Sequence, residues 1–183
     1  MTIKAARILA PLALTLMVVT GCSQESEEAA PSAPSTFEGD FVINAANVPD
    51  GTMNVPEGFT VSEVGDALRL AGSVEKPRPG RKTDGVSFLI PEEFEKQASG
   101  KSVTVTVFGS SEDGKEIKVS YSTNGVGNSR WRGLPVGNEV TGPSFTYDVP
   151  PAESYDGDYI GILPDPEGTG QTFDLHAIVI DLD

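Results

Sequence analysis

From Ser102 to Phe108 apolar and polar side chains alternate strictly, with Val103, Val105 and Val107 on one side and Thr104 and Thr106 on the other. A period of two marks a β-strand with one buried and one wet face. After the turn-forming residues Ser110 to Lys115 the pattern resumes, with Ile117, Val119 and Tyr121 set against Lys118 and Ser120. The two runs read as a hairpin. Further strand-like segments are 40–44, 59–64, 67–72, 86–90, 144–149, 158–163 and 173–182, separated by Gly, Pro, Asn and Asp. In the last of these, Ile178, Val179 and Ile180 leave no polar face, which predicts a central strand covered on both sides. Only Pro91 to Ala98 reads as a helix, a short connector with Pro at its start and Glu92 and Glu93 in its first turn. About nine strands with frequent turns predict an all-β, antiparallel sandwich or barrel over residues 37–183.

The first residues carry a different pattern. Lys4 and Arg7 precede an apolar run from Ile8 to Val19, the order of an export signal. That run is shorter than the roughly 20 residues a membrane helix needs. It ends at Val19, Thr20, Gly21 and Cys22, which resemble the lipobox of bacterial lipoproteins. The resemblance implies a signal peptide over 1–21 and lipidation of Cys22, anchoring the chain in a lipid bilayer. Cys22 is the sole cysteine, so no internal disulfide competes for it. Ser23 in the next position implies the outer membrane in a Gram-negative envelope. Residues 22–36 contain no large apolar side chain and are rich in Ser, Glu and Pro, which predicts a disordered, extended tether.

Composition narrows the choice of partner. The formal net charge is −14, and loss of Lys4 and Arg7 makes it more negative still. A body this acidic argues against nucleic acid as a partner, because phosphate backbones are bound by clustered cations.

Five stretches together resemble the jelly-roll carbohydrate-binding modules and galactose-binding-like domains. They are Gly100 to Val107, Val119-Ser120-Tyr121-Ser122-Thr123, Phe145-Thr146-Tyr147, Asp158 to Ile162, and Ile178 to Asp181. The resemblance implies a jelly-roll β-sandwich that binds carbohydrate through an aromatic ring flanked by hydrogen-bonding side chains. The matching cluster is Tyr121, Asn124, Asn128, Arg130, Trp131 and Arg132, on a strand end and the Gly-containing loop after it. The alternative is a Trp131 that packs on the sandwich edge while its arginines reach outward. Tyr155, in a polar loop after Pro150 and Pro151, is a second ring expected at the surface. Such modules often hold a structural calcium, and Glu38, Asp40 and Asp181 stand at the corresponding places, although calcium needs six to eight oxygens.

Catalytic constellations are lacking. His176 is the only histidine and lies among apolar residues, and no Gly-x-Ser-x-Gly elbow occurs. Gly100-Lys101-Ser102 does not complete a phosphate-binding loop, because Glu95 stands where that motif needs glycine. The sequence therefore reads as a non-enzymatic cell-envelope lipoprotein that binds a glycan or another envelope component. The alternative is a structural or interaction lipoprotein docked to an envelope protein through a sheet face or edge.

Overall fold

The computed structural model describes residues 36–77, 84–123 and 126–183. Residues 1–35, which hold the expected signal and Cys22, and Asn124 lie outside the described residues. The elements run β1 (Phe41–Asn44), a 3-10 turn (Ala45–Asn47), β2 (Met53–Asn54), β3 (Phe59–Val64), β4 (Ala67–Gly72), β5 (Val86–Ile90), α1 (Glu92–Ala98), β6 (Ser102–Ser110), β7 (Glu116–Thr123), β8 (Gly127–Asn128), β9 (Arg132–Pro135), β10 (Ser144–Asp148), β11 (Asp158–Leu163) and β12 (Thr172–Leu182). The first sheet has the order β10-β6-β12-β4-β3 with β1 also paired to β12, and the second β2-β5-β11-β7-β8 with β9 also paired to β7. All pairings within these sheets are antiparallel. This is the expected antiparallel jelly-roll sandwich. The strands read from the alternation are all present, joined by the short strands β2, β8 and β9.

The inner faces meet in one core. Val103, Val105 and Val107 of β6 and Ile178 and Ile180 of β12 face Ile117, Val119 and Tyr121 of β7 and Ile160 and Ile162 of β11, all fully buried. Each such aliphatic side chain contributes about 1.5–3 kcal/mol by leaving water.

One expectation changes. The runs on either side of the Ser111 loop do not form a hairpin, since β6 belongs to the first sheet and β7 to the second. Both strands have an apolar face, and crossing the sandwich buries those two faces against each other, whereas a hairpin would only set them side by side. The intervening loop is anchored by Ser111 N–H to Gly137 O (2.6 Å) and Val136 N–H to Lys115 O (2.7 Å). The unbroken apolar run of the last strand also has a local cause. The register on β6 slips between Leu175 and Ala177, leaving His176 as an extra residue. Phe173 and Leu175 point inward before this bulge, and Ile178 and Ile180 after it. Val179 then faces outward, where Gly39 packs against it and leaves it 3% exposed. On the same outer face Phe37 packs on Phe108, with ring centroids 5.0 Å apart. β12 is therefore central and covered on both sides, as its sequence predicts.

Candidate functional site

The outer face of the second sheet has an unusual composition. Register places Ser87 of β5, Gly161 of β11 and Ser120 of β7 side by side, one small residue per strand. In the neighbouring row Leu89, Tyr159, Ser122 and Asn128 line up across β5, β11, β7 and β8. A glycine within a strand often marks the close approach of another group. Here that group is Trp131. Its Cη2 lies 3.1 Å from the point where a Cβ on Gly161 would sit, so the indole rests directly on the glycine. Ser87 and Ser120 are 0% and 1% exposed.

Local backbone chemistry puts the ring there. Ser122 pairs with Asn128 and Val119 with Arg132, so three steps along β7 are matched by four along the opposing chain. The extra residue makes a β-bulge opposite Ser120. Ser129 holds one side of it: its N–H donates to Tyr121 O (2.9 Å), and its hydroxyl accepts from Tyr121 N–H (2.9 Å) and donates to Arg130 O (2.9 Å). Arg130 follows with φ 61°, the only non-glycine residue at positive φ among the described residues. Its N–H is held by Asn128 Oδ1 at 2.9 Å. A bulge with a left-handed residue re-aims the side chain that follows, and the ring it turns over the sheet is the one tryptophan of the chain. Trp131 is partly buried, yet its indole N–H has no hydrogen-bond partner among the described residues, and neither does the Ser120 hydroxyl.

The predicted cluster is thus only partly assembled. Asn128, Arg130, Trp131 and Arg132 follow one another around the bulge, with both arginines exposed. Tyr121 does not join them. Its ring is fully buried on the inner face, and its hydroxyl donates to Asp158 Oδ2 at 2.8 Å. Burial first, and the negative charge of Asp158 second, push its phenol far above the usual range. The alternation along β7 explains this, since Tyr121 continues the inward row of Ile117 and Val119. The ring that does share the outer face with Trp131 is Tyr159, half-buried and two residues from Gly161. It stands in the same alternation as Gly161 along β11. Tyr155 sits instead at α1, under the ammonium of Lys96, 5.6 Å from the ring centroid.

Asp40 Oδ2 accepts Leu182 N–H at 2.8 Å, Asp181 lies against Gly39, and Glu38 is exposed. Among the described residues no three His, Cys, Asp or Glu side chains are grouped to hold a metal ion. Asp40 thereby links the start of β1 to the end of β12. His176, at the β12 bulge, points Nδ1 toward Asp66 at 3.5 Å.

The chain matches no family model and no curated protein. Its fold is similar to that of solved carbohydrate-binding domains. BiXyn10A CBM1 in its apo form is 11% identical with a TM-score of 0.49, over 79% of this chain and 99% of that one. The second N-terminal cellulose-binding domain of β-1,4-glucanase C from Cellulomonas fimi is 11% identical with a TM-score of 0.49, over 76% and 90%. The CBM22-1 xylan-binding domain of Xyn10C from Paenibacillus barcinonensis is 10% identical with a TM-score of 0.46, over 78% and 92%.

Proposed function

We propose that this chain is a non-catalytic lipoprotein of the cell envelope whose sandwich binds carbohydrate on the outer face of the second sheet, with Trp131 as the stacking platform. The reading rests on the bulge opposite Ser120. A left-handed conformation costs a non-glycine residue about 1–2 kcal/mol, and a buried N–H without a partner about 1–3 kcal/mol. Stability alone would favour a regular strand here, so the strained bulge points to a use for the ring it positions. A flat indole offers its face to the C–H side of a pyranose. The Asn128 side-chain amide, which donates to no described residue, stands beside it to meet hydroxyls. Lipidation of Cys22 and the extended tether would hold this face a short distance above the membrane, outward from the outer membrane surface or toward the cell wall.

The test is retention on a glycan panel of the full chain purified in detergent, beside Trp131→Ala. The wild type is expected to bind at least one polysaccharide, and the substitution to weaken it at least tenfold. Unchanged binding in the variant, or no glycan bound at all, rejects the site. The competing reading, docking of an envelope protein, draws on β3, which ends the first sheet and leaves Val64 39% exposed. In that case Trp131→Ala leaves partner capture intact.

A further inference from the structure

We infer that the free edge of β3 receives an extended segment of a partner protein, in which an apolar residue lies opposite Val61 and a lysine or arginine opposite Glu63. β3 ends the first sheet, whereas Trp131 stands on the second, so this site is separate from the proposed carbohydrate face and does not depend on it. The hairpin decides which backbone groups are free. β3 and β4 are joined by Gly65 and Asp66 alone, and Val64 pairs with Ala67. Two residues that flank a two-residue turn exchange both hydrogen bonds, and bonded pairs then alternate along the ladder. Val64, Ser62 and Thr60 therefore bond to β4, and the N–H and C=O groups of Val61 and Glu63 point away from it. Phe59 belongs to the same outward set, and its N–H is taken by Pro56 O at 3.2 Å. The backbones of Val61 and Glu63 have no such partner among the described residues. The edge thus offers an added strand both donors and acceptors.

Sheet edges are ordinarily guarded by proline, lysine, a bulge or shortness. β10, at the other end of the same sheet, lies between Pro143 and Pro150, and β2, which ends the second sheet, has only 2 residues. β3 runs for 6 residues in unbroken register without proline, lysine or bulge. Apolar surface lies beside it. Met53, Val55, Phe59, Val61 and Leu68 line a hollow of about 440 Å³ along the strand. Val55 and Val64, 40% and 39% exposed, are two of the three exposed large apolar side chains among the described residues. Val61 and Glu63 pair with Leu70 and Leu68, whose side chains turn inward, so the residues opposite them on an added strand would face the hollow. Val61 calls for an apolar residue there. Glu63 calls for a cation, because its carboxylate has no hydrogen-bond or ion-pair partner among the described residues. Residues 45–66 include Asp50, Glu57, Glu63 and Asp66 but no Lys or Arg. Arg69, across from Ser62, lies on the opposite face and is bound to Asp174. The same acids disfavour a second copy of this edge, which would set like charges side by side. The chemistry therefore selects a basic, alternating strand of another protein.

The experiment uses two synthetic peptides, acetyl-Thr-Val-Thr-Lys-Thr-Val-Thr-amide and its counterpart with Glu in place of Lys. Their binding to the isotope-labelled full-length chain in detergent is followed through the amide signals of Val61 and Glu63. The lysine peptide is expected to bind at least about tenfold more tightly than the glutamate one, with the preference shrinking as salt rises. It should shift both amides and slow their hydrogen exchange. Glu63→Lys, an exposed substitution, should reverse the preference. Val61→Pro, which removes a free donor, should abolish binding of the lysine peptide, and the charge reversal keeps the test decisive if the proline variant does not fold. Equal binding of the two peptides, binding that leaves the Val61 and Glu63 amides unshifted, or a preference that Glu63→Lys does not reverse overturns the inference. Binding of neither peptide also overturns it, whether or not the chain pairs with itself. Trp131→Ala should leave peptide binding unchanged, so failure here leaves the carbohydrate reading standing, and failure on the glycan panel leaves this one.

Discussion

Arg130 shows how one residue serves position at the expense of stability. Its φ of 61° lies where a Cβ crowds the following carbonyl, and Asn128 Oδ1 and the Ser129 hydroxyl hold it there. Glycine adopts this conformation freely but loses more chain entropy on folding, so Arg130→Gly should stabilise the domain by about 0.5–1 kcal/mol. For a domain of this size that is a rise in Tm of about 2–4 °C per kcal/mol, measurable by calorimetry. A variant that is less stable than the wild type would show that the arginine side chain is anchored and that the left-handed turn carries no strain. Gly161 is the partner residue beneath. An added methyl would meet the indole at 3.1 Å, closer than a relaxed contact, so the glycine is there for the tryptophan rather than for its own backbone.

At the scale of elements, a prediction attaches to the loop between β11 and β12. Asp165, 4% exposed, accepts Thr169 N–H (3.0 Å) and hydroxyl (3.3 Å) on Oδ1 and Gly170 N–H (2.7 Å) on Oδ2. Burial works to raise its pKa, but the N–H groups of Thr169 and Gly170 outweigh it and hold the carboxyl below its ordinary value of 3.8. A depressed folded pKa means that the charged form stabilises the fold at pH values above the unfolded pKa and that this contribution is lost as pH falls through the folded one. Asp165→Ala should therefore cost about 1–3 kcal/mol near neutral pH, with the gap to wild type closing below about pH 4 in urea titrations. A gap independent of pH would mean that the loop is held by shape and not by charge. Elements of this kind were unequally legible in the sequence. Strand positions and facing were readable because alternation is local, as Val103 to Val107 and Ile117 to Tyr121 show. Which strand lies beside which was not, because a loop of turn residues looks the same whether it closes a hairpin or crosses a sandwich. The bulge at Arg130 was hidden for a related reason: it is defined by a count against β7, and no count exists until the partner is known. Tyr121 was assigned to the binding cluster against its own alternation, whereas Gly161, a lone glycine in an apolar strand, was the available sign of where a ring would settle.

On the proposed reading the whole molecule would combine an acidic body with an apolar anchor, and the two would act in opposite directions at a membrane. With a net charge of −14, the body is repelled by anionic lipid surfaces over about a Debye length, roughly 8–10 Å at physiological salt. A tether over residues 22–36 of the kind the sequence predicts, at roughly 3 Å per residue if extended, would place the sandwich beyond that range. Attachment would then rest on the proposed acyl chains on Cys22, each buried CH₂ contributing about 0.8 kcal/mol, so that two or three chains would outweigh the repulsion by a wide margin. This has a consequence that ionic attachment would not share. Washing membranes with 1 M salt, which shortens the screening length to about 3 Å, should release none of the protein, whereas detergent should release all of it. Metabolic labelling with palmitate should mark the wild-type chain, and its N-terminal peptide should begin at Cys22 with the mass of the attached lipid. Cys22→Ala should carry no label. Label retained in that variant, or wild-type protein stripped by salt, would place the anchor elsewhere and remove the reason for expecting the Trp131 face to meet its ligand at the envelope.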